Sequence, residues 1–145
     1  MPSVNFRAGV VIVVRGLDDR ILAFERGDVP GQWQFPQGGM EPDEAPLAAA
    51  WRELGEETGL GPDDVMAVAE YPDWVVYEYP PELKNIKGRL GQAHRWFLFD
   101  ATHADVTPRP DGREFVRWQW VTREWMLEHV VDFRRPGYAR VLQSM

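Results

Sequence analysis

Apolar positions along the chain fall into short runs separated by turn residues. Val10-Val11-Ile12-Val13-Val14 is β-branched throughout, so Arg7 to Val14 predicts a strand of the buried type. Gly16-Leu17-Asp18-Asp19 turns it into a second strand near Arg20 to Phe24, and a hairpin opens the fold. Pro30-Gly31 marks another turn, Trp33-Gln34-Phe35 a short extended piece, and Pro36 with Gly38-Gly39 leads into a helix from Pro46 to Thr58. Val65 to Tyr79 alternates or runs apolar and predicts one long strand ended by Pro80-Pro81. Ala93 to Phe99 predicts the next strand, after a basic loop, and Arg117 to Val121 the last. Helical stretches follow around Thr122 to His129 and Pro136 to Gln143, with Thr122 placed to cap the first and Pro136 tolerated in the first turn of the second. Strands interleaved with helices that must cover both faces give an α/β layered domain, and one domain spanning residues 1–145 is expected.

The Pro46–Thr58 helix is the least ordinary element. At about 100° per residue, Leu47, Trp51, Leu54 and Thr58 fall on one side, and Glu53, Glu56 and Glu57 share an arc of about 100° beside it. The first side faces a core; the second collects carboxylates. Glu53 and Glu57 are like charges at i,i+4, which costs roughly 0.2–0.5 kcal/mol. Glu56 and Glu57 lie in the last turn, where the helix dipole disfavours anions by roughly 0.3–1 kcal/mol. A bound divalent cation would reverse both signs, whereas a solvated acidic face would have only Arg52 to ease it. Gly38-Gly39 precede the helix, Gly55 sits inside it at a cost of about 1 kcal/mol relative to alanine, and Gly59 follows as a natural C-terminal cap.

Read as Gly38, five residues, Glu44, seven residues, then Arg52-Glu53-Leu54-Gly55-Glu56-Glu57-Thr58-Gly59-Leu60, the segment resembles the signature of the Nudix hydrolases. Every specified position matches. The resemblance implies an α/β/α sandwich with a mixed sheet, Mg²⁺ or Mn²⁺ bound by the loop-helix-loop, and hydrolysis of a nucleoside diphosphate linked to a further group. It implies Glu53, Glu56 and Glu57 as metal ligands, the Gly38 carbonyl as another, and Arg52 with Glu44 as the pair that orients them. The chemistry agrees, because hard divalent cations take oxygen ligands and leave positions for water and phosphate. Such a cation neutralises polyphosphate and lowers the pKa of a bound water.

The similarity runs beyond the signature. Trp33-Gln34-Phe35-Pro36-Gln37-Gly38-Gly39, Trp74 with Tyr77 before Pro80-Pro81, Gly91-Gln92 leading to Trp96-Phe97, Glu114-Phe115, and Val131-Asp132-Phe133 with Arg134 and Arg135 look like one branch of the family. That branch holds the asymmetric dinucleoside tetraphosphate hydrolases and the bacterial RNA 5′-pyrophosphohydrolases. The likeness implies Glu114 as an additional catalytic carboxylate and metal ligand, Tyr77 and Arg7 as phosphate contacts, and Phe133 as a base-stacking platform. Gln92 and Arg134 join the substrate-binding set on the same ground. From the residues alone, Glu114 could instead pair with Arg113, and Tyr77 and Phe133 could be core aromatics. Arg26 reads as a surface arginine. The chain departs from the branch at Leu90, where a basic residue is common, and at His94, where a polar amide is usual.

Composition narrows the picture. Zero cysteines exclude disulfides, thiolate metal sites and cysteine nucleophiles, and the three histidines have no metal-ligand spacing. No apolar run approaches transmembrane length, and Met1-Pro2-Ser3-Val4-Asn5-Phe6-Arg7 lacks a signal-peptide layout, so a soluble cytoplasmic protein with no membrane partner is expected. A net charge of −7 argues against a broad nucleic-acid surface, and no DNA partner is expected. Both lysines of the chain fall in Lys84-Asn85-Ile86-Lys87-Gly88-Arg89, which makes Lys84, Lys87 and Arg89 candidates for gripping distal phosphates, against a solvated loop. The leading expectation is a monomeric, metal-dependent pyrophosphohydrolase that cuts dinucleoside polyphosphates such as diadenosine tetraphosphate. Removal of pyrophosphate from 5′-triphosphorylated RNA is the alternative, and an inert nucleotide-binding module, against which the intact glutamates weigh, is the third.

Overall fold

The computed structural model describes residues 5–145; residues 1–4, which begin the stretch read for a signal peptide, lie outside the described residues. In chain order the elements are β1 (Phe6–Arg15), β2 (Ile21–Arg26), β3 (Trp33–Gln34), β4 (Gln37–Gly39), α1 (Pro46–Thr58), β5 (Val65–Glu70), β6 (Val75–Glu78), α2 (Pro81–Lys87), β7 (Gly91–Ala101), β8 (Phe115–Val121), α3 (Arg123–His129), a 3-10 turn at Asp132–Arg134, and α4 (Arg135–Leu142). No helix among the described residues is long and apolar enough to cross a membrane.

The β-branched run becomes the centre of the sheet. β1 pairs in parallel with β7 from Phe6↔Gly91 to Arg15↔Asp100, while β1 with β4, β2 with β8, and β5 and β6 with β7 pair antiparallel. The sheet is therefore mixed, in the order β3-β2-β1-β7-β5, with β4, β6 and β8 paired off that path. Alternation along β1 feeds two cores. Val10, Ile12 and Val14 pack with Ala49, Ala50 and Leu54 of α1, and Val11 and Val13 pack with Met126 of α3 and Tyr138, Val141 and Leu142 of α4. Helices thus cover both faces, as the layered α/β expectation requires. Burial of a leucine such as Leu54 contributes roughly 1.5–3 kcal/mol.

Several sequence expectations change. The apolar run from Val65 to Tyr79 is two strands, because Pro72 lies in the break between β5 and β6 and cannot donate a ladder hydrogen bond. Gln37–Gly39, read only as a lead into the helix, is a strand on β1. The basic loop is mostly a helix, α2. Pro81 opens it with a preset φ, Glu82 lies in its first turn, Lys84 and Lys87 in its last, and Gly88 caps it at φ +71°, an arrangement that matches the helix dipole throughout. In α1 the bounds hold, but the buried residues are Ala49, Ala50, Leu54, Glu57 and Thr58, whereas Leu47 is exposed. The buried stripe is turned toward Glu57, which carries a carboxylate to the edge of the core.

Candidate functional site

The loop between β4 and α1 is organised by one guanidinium. Arg52 donates Nε and Nη2 to the two carboxylate oxygens of Glu44, both at 2.8 Å. Its Nη1 reaches Glu53 Oε1 at 2.8 Å, and Nη2 also reaches the Gly39 carbonyl at 2.9 Å. Glu44 in turn accepts the Glu41 N–H at 2.9 Å, so the loop closes on itself. The Arg52 guanidinium holds the Glu44 carboxyl down at about 2, far below the usual carboxylate range. Fork geometry matters here, since only arginine presents coplanar donors to a carboxylate and a carbonyl together.

Glu53 and Glu57 project from α1 beneath β4. A Cβ on residue 38 would overlap the Glu53 carboxylate, so only glycine lets that side chain lie against the Gly38 backbone. Glu57 is buried, and its Oε2 accepts the Gln37 N–H at 3.1 Å. Burial, then the charges of Glu53 and Glu114, pushes the Glu57 carboxyl up to about 9, and burial also raises Glu53 despite its bond to Arg52. Among the described residues Glu57, unlike Glu53, has no neighbouring cation. Close by, the buried Gln37 Oε1 has no hydrogen-bond partner. Glu56 stays outward with a 60 % exposed side chain, 3.5 Å from Arg52. Among the described residues no three acidic or histidine side chains already form a cation cage. The donor set of carboxylates and backbone carbonyl suits a hard divalent cation, whose charge would answer the deficit at Glu57.

One cavity contains these groups, and a second adjoins it through shared lining residues. The first, about 320 Å³, is lined by Gly38, by the carboxylates Glu53, Glu57 and Glu114, and by the cations Arg7, Arg26, Lys87 and Arg134. Anionic and cationic side chains thus share one cavity. The second, about 350 Å³, shares Arg26, Lys87 and Arg134 with the first and is otherwise largely apolar, with Phe133, Tyr79, Leu83, Ile86 and Val131. Arg134 is buried, donates to Gln34 Oε1 at 2.7 Å, and lies 5.2 Å from the Phe133 ring centroid. A polar, charged cavity therefore adjoins a more apolar one that includes the aromatic rings of Tyr79 and Phe133.

The chain matches the NUDIX domain model over residues 5–143. It belongs to the Nudix family. Nudix hydrolase 25 of Arabidopsis thaliana is 35% identical, with 97% of this chain and 86% of that protein covered. A protein of Cereibacter sphaeroides strain KD131 named RNA pyrophosphohydrolase is 40% identical, with 98% and 91% covered. Among solved structures, the E. coli dihydroneopterin triphosphate pyrophosphohydrolase superposes with a TM-score of 0.78 at 19% identity, covering 99% of this chain and 100% of that one. A C. elegans Ap4A hydrolase superposes at 0.72 and 18% identity, with 96% and 99% covered. At such identities the structural likeness is one of fold. The Nudix family generally uses divalent metal ions, in keeping with the oxygen donors described above.

Within the Nudix frame, the structure brings together Gly38, Glu44, Arg52, Glu53 and Glu57, with Glu114 lining the same first cavity and Glu56 bordering a neighbouring acidic hollow. Arg7, Gln92 and Arg134 also line the first cavity, and Phe133 the second. Of the three basic candidates, Lys87 reaches both cavities; Lys84 pairs with Glu78 at 3.1 Å, and neither it nor Arg89 lines them. Tyr77 lines neither and backs Phe133 and Arg134 instead, with ring centroids 5.3 Å apart and its hydroxyl 3.4 Å from Arg134 Nε. Arg26, dismissed as a surface residue, lines both cavities. A register shift between Glu25 and Arg26 in β2 accompanies its placement, and such bulges re-aim side chains. Gln34 and Gln37 were also missed as individual site residues, although both lie in the block that carries the wider resemblance.

His94, the departure from the usual amide, is buried under the site. Gln92 donates Nε2 to the Tyr79 hydroxyl at 2.6 Å, leaving its Oε1 to accept from His94 Nε2, also at 2.6 Å. Burial, reinforced by Arg134 and Arg7, pushes His94 down to about 3. Below its ordinary value of about 6.5 the unfolded chain takes up a proton that the folded chain refuses, so stability is full above that pH and falls toward pH 3. The expected slope is at most ~1.4 kcal/mol per pH unit for this group. His94→Gln should flatten the profile of urea midpoints between these limits; parallel profiles for the two proteins would refute the buried neutral imidazole.

Proposed function

We propose that the chain is a metal-dependent pyrophosphohydrolase that removes pyrophosphate from 5′-triphosphorylated RNA. The observation that carries the reading is the pair of joined cavities, one able to place a polyphosphate between carboxylates and arginines, the other able to take the adjoining base. The relatives named RNA pyrophosphohydrolase, at 37–40% identity over most of this chain, support RNA as the substrate. Dinucleoside polyphosphate, favoured by the net charge of −7, is the second reading, since the same cavities would accept a tetraphosphate and one of its nucleosides.

Glu53, Glu57 and the Gly38 carbonyl would hold Mg²⁺ or Mn²⁺, with Glu56 and Glu114 completing the set, and Arg52 with Glu44 would keep Glu53 in place. The bound cation supplies charge neutralisation and a more acidic water. Arg7, Arg26, Lys87 and Arg134 draw the phosphates into the cavity. Water attacks an anhydride phosphorus, its new P–O bond forms as the bridging P–O bond breaks, and its proton passes to the carboxylate group. Phe133 holds the base.

Incubation with Mg²⁺ and, separately, a 5′-triphosphorylated RNA, diadenosine tetraphosphate and nucleoside triphosphates tests this. Pyrophosphate and 5′-monophosphorylated RNA are the expected products. Cleavage confined to diadenosine tetraphosphate would install the second reading, and no cleavage of any would sink both. Two variants test the assigned roles. Arg52→Lys keeps the charge but not the fork, and should lower activity about tenfold and raise the Mg²⁺ concentration needed for half-maximal rate. Lys87→Ala should weaken substrate binding most at low salt, because ionic contacts are screened; a salt-independent effect would place Lys87 off the phosphate path.

A further inference from the structure

The segment that carries Glu114 is exposed and irregular, yet its backbone is fixed on every side. Asp111 Oδ1 accepts the N–H of Arg113 at 3.0 Å and the N–H of Phe115 at 3.1 Å, the residues on either side of Glu114. The Glu114 carbonyl itself accepts the Gly27 N–H at 2.9 Å. Gly27 has to be glycine for this approach, since a Cβ there would overlap the Arg113 carbonyl. The same segment is tied to the catalytic helix. Arg109 N–H donates to the Thr58 carbonyl at 2.7 Å and Asp111 N–H to the Glu57 carbonyl at 3.2 Å, satisfying acceptors that the end of a helix leaves free.

Asp111 thus links the backbone of Glu57 to the backbone of both residues beside Glu114. We propose that Asp111 is a positioning residue that aims Glu114 at the carboxylates of α1. This rests on the reading of Glu114 as a catalytic carboxylate. A side chain on an exposed loop is placed only as well as its backbone, and Asp111 supplies the one acceptor that both flanking N–H groups share. The acceptor is the working part. Its charge is not, since an amide oxygen at the same position could receive the same two hydrogen bonds.

The test uses Mg²⁺-loaded enzyme with whichever of 5′-triphosphorylated RNA or diadenosine tetraphosphate it cleaves. Asp111→Ala should lower kcat about 10- to 100-fold, the range for removing a group that orients a ligand, with KM unchanged. Asp111→Asn should restore most of the rate, and Asp111→Glu, which keeps the charge but displaces the acceptor, should be slow. Asp111→Ala/Glu114→Gln should be no slower than Glu114→Gln, because both changes remove one unit. Amide exchange at Arg113 and Phe115 should be protected in wild type and in Asp111→Asn, and fast in Asp111→Ala. Glu114→Gln slow with Asp111→Ala at wild-type rate would overturn the proposal. So would an Asn variant as slow as Ala, losses that multiply in the double variant, or unprotected amides in wild type. A wild-type rate for Glu114→Gln would instead overturn the catalytic reading on which the proposal stands, and with it the proposal. Should Asp111→Ala not fold, the Glu and Asn pair carries the same comparison.

Discussion

Glu57→Gln is expected to lower turnover by several orders of magnitude with the fold intact. The substitution is nearly isosteric, and an amide oxygen can still accept the Gln37 N–H that now meets Glu57 Oε2 at 3.1 Å. What disappears is the charge. Glu57 is the most buried carboxylate of the cluster, and it faces Glu53 and Glu114 with no cationic partner of its own. Its environment is costly for an anion unless a cation is present, so no stabilising ion pair accounts for the charge there. The metal-free variant should therefore melt at or above the wild-type temperature, while Mg²⁺ should protect it less than wild type, since a ligand that binds only the folded state raises apparent stability. Turnover at saturating Mg²⁺ and melting with and without the ion are the measurements. Near wild-type activity would remove Glu57 from the metal site.

The acidic helix was legible because its information is local. Spacing, a proline in the first turn and a glycine just past the end fix Pro46–Thr58, and Gly59 does cap it at φ +73°. The pairing of Arg52 with Glu44 followed from the resemblance, and their eight-residue separation is bridged by a turn that no periodicity encodes. Which side of the helix is buried was only half legible. A wheel places Leu47 with Leu54, but Leu47 is exposed while Ala49, Ala50 and Leu54 are buried, so the buried stripe shifts toward Glu57. That shift turns a surface glutamate into a desolvated one.

Partners set by the rest of the fold were hidden for the same reason. Lys84, Lys87 and Arg89 form one basic cluster in sequence, yet winding Pro81–Lys87 into α2 sends Lys84 toward Glu78 and Lys87 toward both cavities. Arg26 looked ordinary because the bulge beside it arises from how β2 meets β8, ninety residues away in sequence. Tyr77 was read as touching phosphate, whereas it supports the residues that line the cavities. Aromatic residues carry no local mark that separates a platform from its backing.

Phe133→Ala is expected to raise KM about five- to 150-fold for substrates that carry a base, because stacking on an aromatic is worth roughly 1–3 kcal/mol per base and about 1.4 kcal/mol is tenfold. The ring is half-buried, its centroid 5.3 Å from that of Tyr77 and 5.9 Å from that of Tyr79, so one face is supported by protein while the side chain still lines the second cavity. Arg134 approaches the same ring and lines both cavities, which gives the substitution a second route to an effect, through loss of arginine placement. Inorganic tripolyphosphate separates the two. It has phosphates and no base, so loss of stacking alone should leave its affinity as an inhibitor unchanged in Phe133→Ala, whereas a displaced Arg134 should weaken it together with the nucleotide substrates. Phe133→Tyr should keep KM near wild type in either case. The salt dependence of KM should match wild type in Phe133→Ala, since a stacked ring releases no counter-ions. If tripolyphosphate weakens as much as 5′-triphosphorylated RNA does, the ring serves the arginine and the base is held elsewhere.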